Sequence, residues 1–504
     1  MKVLPSSYTD NLAGKHYSYK NYSFSGLTRR LSNTAIASLL IGSVAFSLLI
    51  VKLGFTAGAL ILVAVIGLPI IYSVVVYPKA GILILLAAAF LLAQISRLGV
   101  TFPLGTVMDA LEVLLLLGLF IKQKNNPNWG FLKLPISKII LIWIFYNILE
   151  VVNPAASSFF SWLYSIRAVA TVMLLYFVFM HQIDSFKFIR IIIKVWLILA
   201  FLGAAYAFKQ EHFGYFEFEK AELRDPRLIS LYFIGGVWRK SSIFSDPVTF
   251  SYNMVISSLL CICLITNKTF TSFKKYILLF LALFFLLNML YSGTRGAYVL
   301  VPAALVLIAV INYSRKVLII SIIAGMLIGA MIVIPTSNPT IGRFQSAFRP
   351  SKDASYLVRK INQKRIQPFI LTHPLGGGLG ATGGWGQRFA PNSYLANFPP
   401  DSGYIRAAVE LGWIGLFLIC MLMFIILKTG IKNYFLIKNS ELKAYCLAAT
   451  VIVFALNIGN FPQEAIVQFP TNILFVLAAA LINATLKLDR SLTTTIKDET
   501  SLNY

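Results

Sequence analysis

The chain is poor in charge. Only 12% of its 504 residues are Asp, Glu, Lys or Arg, about half of what a soluble protein carries. Acidic groups are scarcer still, at 19 against 44 basic ones, for a net charge of +25. With 58% hydrophobic residues and a mean hydropathy of +0.77, a soluble globular surface is excluded. Short alternating apolar segments, the mark of a membrane barrel, are also missing. The four cysteines, Cys261, Cys263, Cys420 and Cys446, all lie in apolar runs. They offer no disulfide framework and read as small core hydrophobes. His16, His181, His212 and His373 form no cluster, and no metal site is visible.

What the sequence has is long apolar runs near the spanning length of about 20 residues. Hydropathy predicts an all-α, polytopic membrane protein with about fourteen transmembrane helices. They fall near 33–52, 55–76, 80–96, 103–121, 137–152, 161–180, 187–206, 247–266, 275–291, 296–312, 317–334, 403–427, 443–460 and 466–484. The basic excess concentrates in both tails and in alternate short loops, among them Lys122, Lys124, Lys133 and Lys138, and Lys428, Lys432 and Lys438. The positive-inside rule puts both termini in the cytoplasm. That leaves a cytoplasmic N-tail at 1–32, spans within 33–334 interrupted by an outer loop at 207–246, a long outer loop at 335–402, spans within 403–484 and a cytoplasmic C-tail at 485–504. The final "LTTTIKDETSLNY" reads as disordered. A nucleic-acid partner is rejected, because much of the charge sets orientation.

The two outer loops carry the remaining basic residues. The first mixes aromatics with Arg224, Arg227, Arg239 and Lys240. The second holds Arg343, Arg349, Arg359, Lys360, Lys364, Arg365 and Arg388, and reads as helical from Ala354 to Phe369. Arg359, Lys360, Gln363 and Lys364 share one side of that helix. Two readings fit: a basic helix attracted to membrane lipids, or an anion site of bidentate arginines beside aromatics suited to sugar rings. The run "PLGGGLGATGGWG" contains a literal G-x-G-x-x-G, but no βαβ unit surrounds it. It reads as a mobile loop, or as one whose backbone approaches a ligand closely. Within the spans, Asp109 and Glu112 lie one turn apart and Arg167 sits near an outer end. An Arg–carboxylate pair is expected there.

Three stretches then appear in order: "WRKSSIFSDPVTF", "LYSGTRGAYVLV" and "RIQPFILTHPLGGGLG … DSGYIRAAVELGWIGL". Together they resemble the O-antigen ligase and O-antigen polymerase superfamily. The resemblance implies a GT-C-like membrane fold in the bacterial inner membrane, with a long late periplasmic loop. It implies metal-independent, inverting transfer of a glycan from undecaprenyl diphosphate to an acceptor glycan or lipid A-core, with no cofactor. By motif position, Arg239, Arg295 and Arg359 become candidates for the diphosphate, with Arg167 a further one. Ligases of this family open the late span with histidine, where this chain has Asp401. That departure fits a polymerase better.

Such a reaction needs a group to take the acceptor proton and cations to hold the departing diphosphate. Asp401 and His373 are the candidate bases. Asp401 also stands where an N-cap belongs. A tight turn at Gly293 and Gly296 would present Arg295 to the lipid head group. The alternative function is a lipid-linked glycan flippase or other polysaccharide transporter. No internal repeat of that kind is visible.

Overall fold

A computed structural model describes residues 37, 41–44, 47, 67–99, 104–125, 127–234, 236–313, 315–348 and 354–501. The predicted N-tail at 1–32, most of the first predicted span and about half of the second lie outside the described residues, as does Arg349. Residues 71–504 form one unit, separate from 1–70, and only the former is considered below.

The early helices are α1 (Pro78–Arg97), α2 (Leu104–Asn125), α3 (Pro135–Leu149), α4 (Phe159–Gln182) and α5 (Phe186–His212). Two short helices follow, α6 (Glu217–Glu222) and α7 (Pro226–Tyr232), then a two-stranded antiparallel hairpin, β1 (Phe233–Ile234) and β2 (Val237–Trp238). Next come α8 (Pro247–Ile265), α9 (Ser272–Tyr291), the one-turn α10 (Arg295–Tyr298), α11 (Leu300–Ile311) and α12 (Arg315–Val333). The long late loop holds α13 (Pro339–Ser346), α14 (Ala354–Thr372) and α15 (Gly383–Phe389). The chain closes with α16 (Gly403–Leu436), α17 (Ser440–Gly459) and α18 (Thr471–Ser501).

Among the described residues, ten helices are long and apolar enough to cross a membrane. The segment 295–311 is a shorter apolar helix. This is a multi-pass, all-α membrane protein. Its helices start where local chemistry dictates. Proline occupies the first turn of α1, α3 and α8, where a missing N–H costs nothing. Asp246 caps α8 by accepting from the N–H groups of Val248 and Thr249, and Asn439 caps α17.

Burial sorts the helices. α8, α17 and the spanning part of α18 are 83%, 78% and 89% buried, whereas α9 is 28% buried. Mean hydropathy does not separate them, at 2.0 for α8 and 1.9 for α9, because lipid is as apolar as a protein core; α8 instead brings Thr249, Ser251, Asn253, Ser257 and Ser258 into the interior. Three cysteines are buried there as expected, but Cys420 is exposed on α16. The predicted disordered tail is corrected: helix continues through Ser501. One reason is tertiary. Asp489 accepts from the backbone N–H groups of Lys438 and Asn439, which ties α18 to the α16–α17 connection.

Candidate functional site

The chain leaves α9 through Ser292-Gly293-Thr294. Gly293 has φ +60, and a Cβ there would lie 2.8 Å from Arg343 Nε. Only glycine tolerates both constraints. Arg239 holds the turn from below. Its Nε donates to Ser292 O at 2.9 Å, one terminal nitrogen to Leu231 O at 3.0 Å and the other to Thr294 Oγ1 at 3.0 Å. Arg343 Nε donates to Gly293 O at 2.6 Å. Burial pulls the Arg239 pKa down to about 10, with Arg343 adding to the effect. It therefore stays charged at neutral pH.

Arg295 opens α10 and is half-buried. Arg239, Arg295 and Arg343 all act electrostatically on the buried Tyr298 hydroxyl. Arg359, on α14, lies within electrostatic reach of Tyr252. The Tyr252 hydroxyl donates to Gly459 O and stands 3.3 Å from where a Gly296 Cβ would be. Arg239, Arg295 and Arg359 thus converge on one end of the bundle. Arg167 is elsewhere: its guanidinium pairs with Asp109 at 2.9 Å, the ion pair expected between the two spans.

The glycine run is not a loose connector, which corrects the expectation of a mobile loop. Residues 376–382 are buried. Their backbone pairs with α16, whose helix is broken at Gly412 (φ +65). The break frees Val409 O and Glu410 O, which accept from the N–H groups of Gly377 and Gly378, while Trp413 N–H donates to Pro374 O. A Cβ on Gly376 would sit 2.5 Å from Glu410 O, and one on Gly380 would sit 2.2 Å from Ser165 Oγ. The glycines permit protein to approach protein. The Glu410 carboxylate closes the arrangement, accepting from Gly380 N–H, from Thr382 N–H and hydroxyl, and from Arg406 Nε.

Arg406 bridges two acids. Its Nε reaches Glu410 at 3.1 Å and its terminal nitrogen reaches Glu464 Oε2 at 2.9 Å. Both acids line a cavity of about 580 Å³ between α3, α4, α15, α16 and the α17–α18 connection. Glu464 escaped the sequence reading. The signal available was one acid in the short stretch "NFPQEAIVQF", in a chain where acids are rare. Burial raises its pKa, Arg406 opposes that, and Glu410 and Asp401 add to it.

Asp401 therefore lies close enough to Glu464 to repel it, but it does not line the cavity. Nor is it the helix cap. Ser402 is the N-cap of α16, its side chain accepting from Ile405 N–H. His373 ends α14: its Nδ1 lies 2.9 Å from Thr372 Oγ1 and 3.1 Å from Phe369 O, and its ring stacks on Phe369 at 4.0 Å.

A model of the O-antigen ligase family matches residues 279–420. That match shows the resemblance to the O-antigen ligase and polymerase superfamily. The matched O-antigen ligase segment contains the arginine turn, the glycine loop and the broken start of α16; Arg167, Arg239 and Glu464 lie outside it. No curated protein matches the chain. The family supports membrane glycan processing of the ligase or polymerase type.

Proposed function

We propose that this protein transfers a glycan from undecaprenyl diphosphate to an acceptor glycan hydroxyl at the periplasmic face of the bacterial inner membrane, as a GT-C-like, inverting, metal-independent transferase. The observation that carries the reading is the arginine turn. Arg295 opens α10 beside Arg239 and Arg343, inside the segment matched by the O-antigen ligase family.

Arg295 and Arg359 bind the diphosphate in this reading, and Arg239 builds the turn that presents Arg295. Permanently charged, multidentate guanidinium groups suit a departing diphosphate. The acceptor proton goes to a carboxylate near the start of α16. Asp401 belongs to that acidic group, whereas His373 is held by the end of its own helix. A polymerase fits better than a ligase, because Asp401 stands where ligases carry histidine. Both termini and the loops rich in lysine face the cytoplasm, and all fourteen predicted segments cross the bilayer.

The test is transfer by purified protein of a lipid-linked oligosaccharide to a glycan acceptor, with neither nucleotide nor metal added. Formation of the elongated glycan supports the reading. Movement of the lipid-linked donor across vesicles without elongation would support a flippase instead.

A further inference from the structure

The cavity beside Glu464 gathers several polar residues. Four of the residues that line it, Asn147, Ser165, Asn460 and Glu464, carry an enclosed oxygen with no hydrogen-bond partner in the protein: Oδ1, Oγ, Oδ1 and Oε1. Buried polar groups are almost always paired, and each one left alone costs about 1–3 kcal/mol. Around this one cavity these residues, with Trp143, supply both hydrogen-bond acceptors and a donor. Three of the four residues are at most 6% exposed.

An aromatic wall adjoins these oxygens. Trp385 lines the cavity, with Tyr164 at 4.9 Å and Phe389 stacked at 6.0 Å. Arg388 lies over both the Trp385 and Phe389 rings. A sugar ring has an apolar C–H face and a hydroxyl-bearing edge, and this wall and these oxygens match the two. The volume of about 580 Å³ falls within the usual range of ligand pockets.

The position is equally informative. The segment from Asn460 to Glu464 has two contacts of interest. Pro462 packs against Gly296, the residue after Arg295, 3.2 Å from where its Cβ would be. Asn460 and Glu464 line the cavity. One short segment thus separates the arginine turn from the cavity.

We propose that this cavity is the acceptor-saccharide site, and that Glu464 Oε1 takes the proton of the attacking hydroxyl. This rests on the glycan-transfer reading above. The acceptor oxygen forms the new bond to the donor's anomeric carbon. The bond from that carbon to the diphosphate oxygen breaks, its electron pair leaves with the diphosphate, and the hydroxyl proton passes to Glu464. Arg406 holds Oε2 at 2.9 Å, which leaves Oε1 for the acceptor. Glu410 cannot take this part, since its oxygens accept from Gly380, Thr382 and Arg406.

Lipid-free oligosaccharide, cut by mild acid from the host's own surface polysaccharide, is the probe. It should bind the detergent-solubilised full chain. Trp385→Ala and Trp385→Phe should weaken binding, the former by roughly tenfold or more. In the transfer assay, Glu464→Gln should lower kcat by about a hundredfold with donor KM unchanged, and Trp385→Ala should raise acceptor KM. If wild-type protein makes no elongated glycan but binds the probe through Trp385, the transfer reading fails while the saccharide site stands. If wild-type protein transfers glycan but Trp385→Ala and Glu464→Gln leave probe binding and both kinetic constants unchanged, the inference is overturned. A shift confined to donor KM would also overturn it.

Discussion

The arginine turn and the cavity meet at Pro462, yet they treat polar groups in opposite ways. At the turn, Arg239 spends its guanidinium on Ser292 O, Leu231 O and Thr294 Oγ1, and Arg343 reaches Gly293 O. Carbonyls that a tight turn would leave bare are satisfied by the protein itself. In the cavity, Asn147, Ser165, Asn460 and Glu464 each keep an oxygen unpaired. Paired polar groups fix a backbone; unpaired ones around a void mark a place for a ligand. The turn that carries Arg295 is therefore held by two arginines from elsewhere in the chain, Arg239 and Arg343. A single glutamate with no motif around it lines the cavity, paired with Arg406.

The largest effect that would break this comparison is all-or-none. Both regions must face the periplasm if they serve one reaction. A cysteine at the exposed Asn392 should react with an impermeant thiol reagent in intact cells, and one at the exposed Lys438 should not. The opposite pattern would put both regions on the wrong side of the membrane for a periplasmic transfer.

Next is the architectural claim for Arg239, 6% exposed. Arg239→Ala strands the carbonyls of Ser292 and Leu231, at a cost of roughly 3 kcal/mol or more. Loss of the monodisperse fraction or a sharp drop in Tm, not rescued by Arg239→Lys, is expected. A stable Arg239→Ala protein that merely transfers more slowly would make Arg239 a ligand-binding residue instead.

Arg295 tests the other side. Arg295→Ala should stay folded and lose about 2–4 kcal/mol of transition-state stabilisation. Arg295→Lys should recover only part, since bidentate donation is lost. Normal polymer from folded Arg295→Ala would reduce Arg295 to an interfacial charge.

A smaller effect is a slope. Burial raises the Glu464 pKa above the ordinary carboxylate value. Between those two values the folded chain holds a proton that the unfolded chain has released. Raising the pH through that window must strip it from the folded state, so stability falls as pH rises. Tm against pH should show this decline in wild type and lose it in Glu464→Gln. Transfer should rise over the same window, because only the carboxylate accepts a proton. A decline that persists in Glu464→Gln would assign it to another group.

How much of this was legible follows from distance along the chain. Spans were readable because hydropathy is local, and α14 because its basic residues repeat on one side. The turn at Gly293 was readable because glycine, arginine and flanking apolar runs are neighbours. The buried glycine loop was not, because its partners Val409 and Glu410 lie about thirty residues on, and they are available only since α16 breaks at Gly412. Glu464 could not be singled out because its partner Arg406 and its neighbours Asn147 and Ser165 come from three other helices.

The smallest effect separates two adjacent residues, Asp401 and Ser402. The sequence reading places the N-cap of α16 at Asp401. The structure gives the cap to Ser402, whose hydroxyl faces Ile405 N–H. Ser402→Ala should therefore cost about 1 kcal/mol, read as a modest fall in Tm. Asp401→Asn should not lower Tm at all, and relief of its repulsion toward Glu464 favours a slight rise. Its effect on transfer divides the two carboxylates. With Glu464 as proton acceptor, Asp401→Asn lowers the Glu464 pKa a little, moves the transfer limb to slightly lower pH and leaves the plateau in place. A plateau that collapses in Asp401→Asn but survives in Glu464→Gln would move the base to Asp401, and the cavity would keep only its part in holding the sugar.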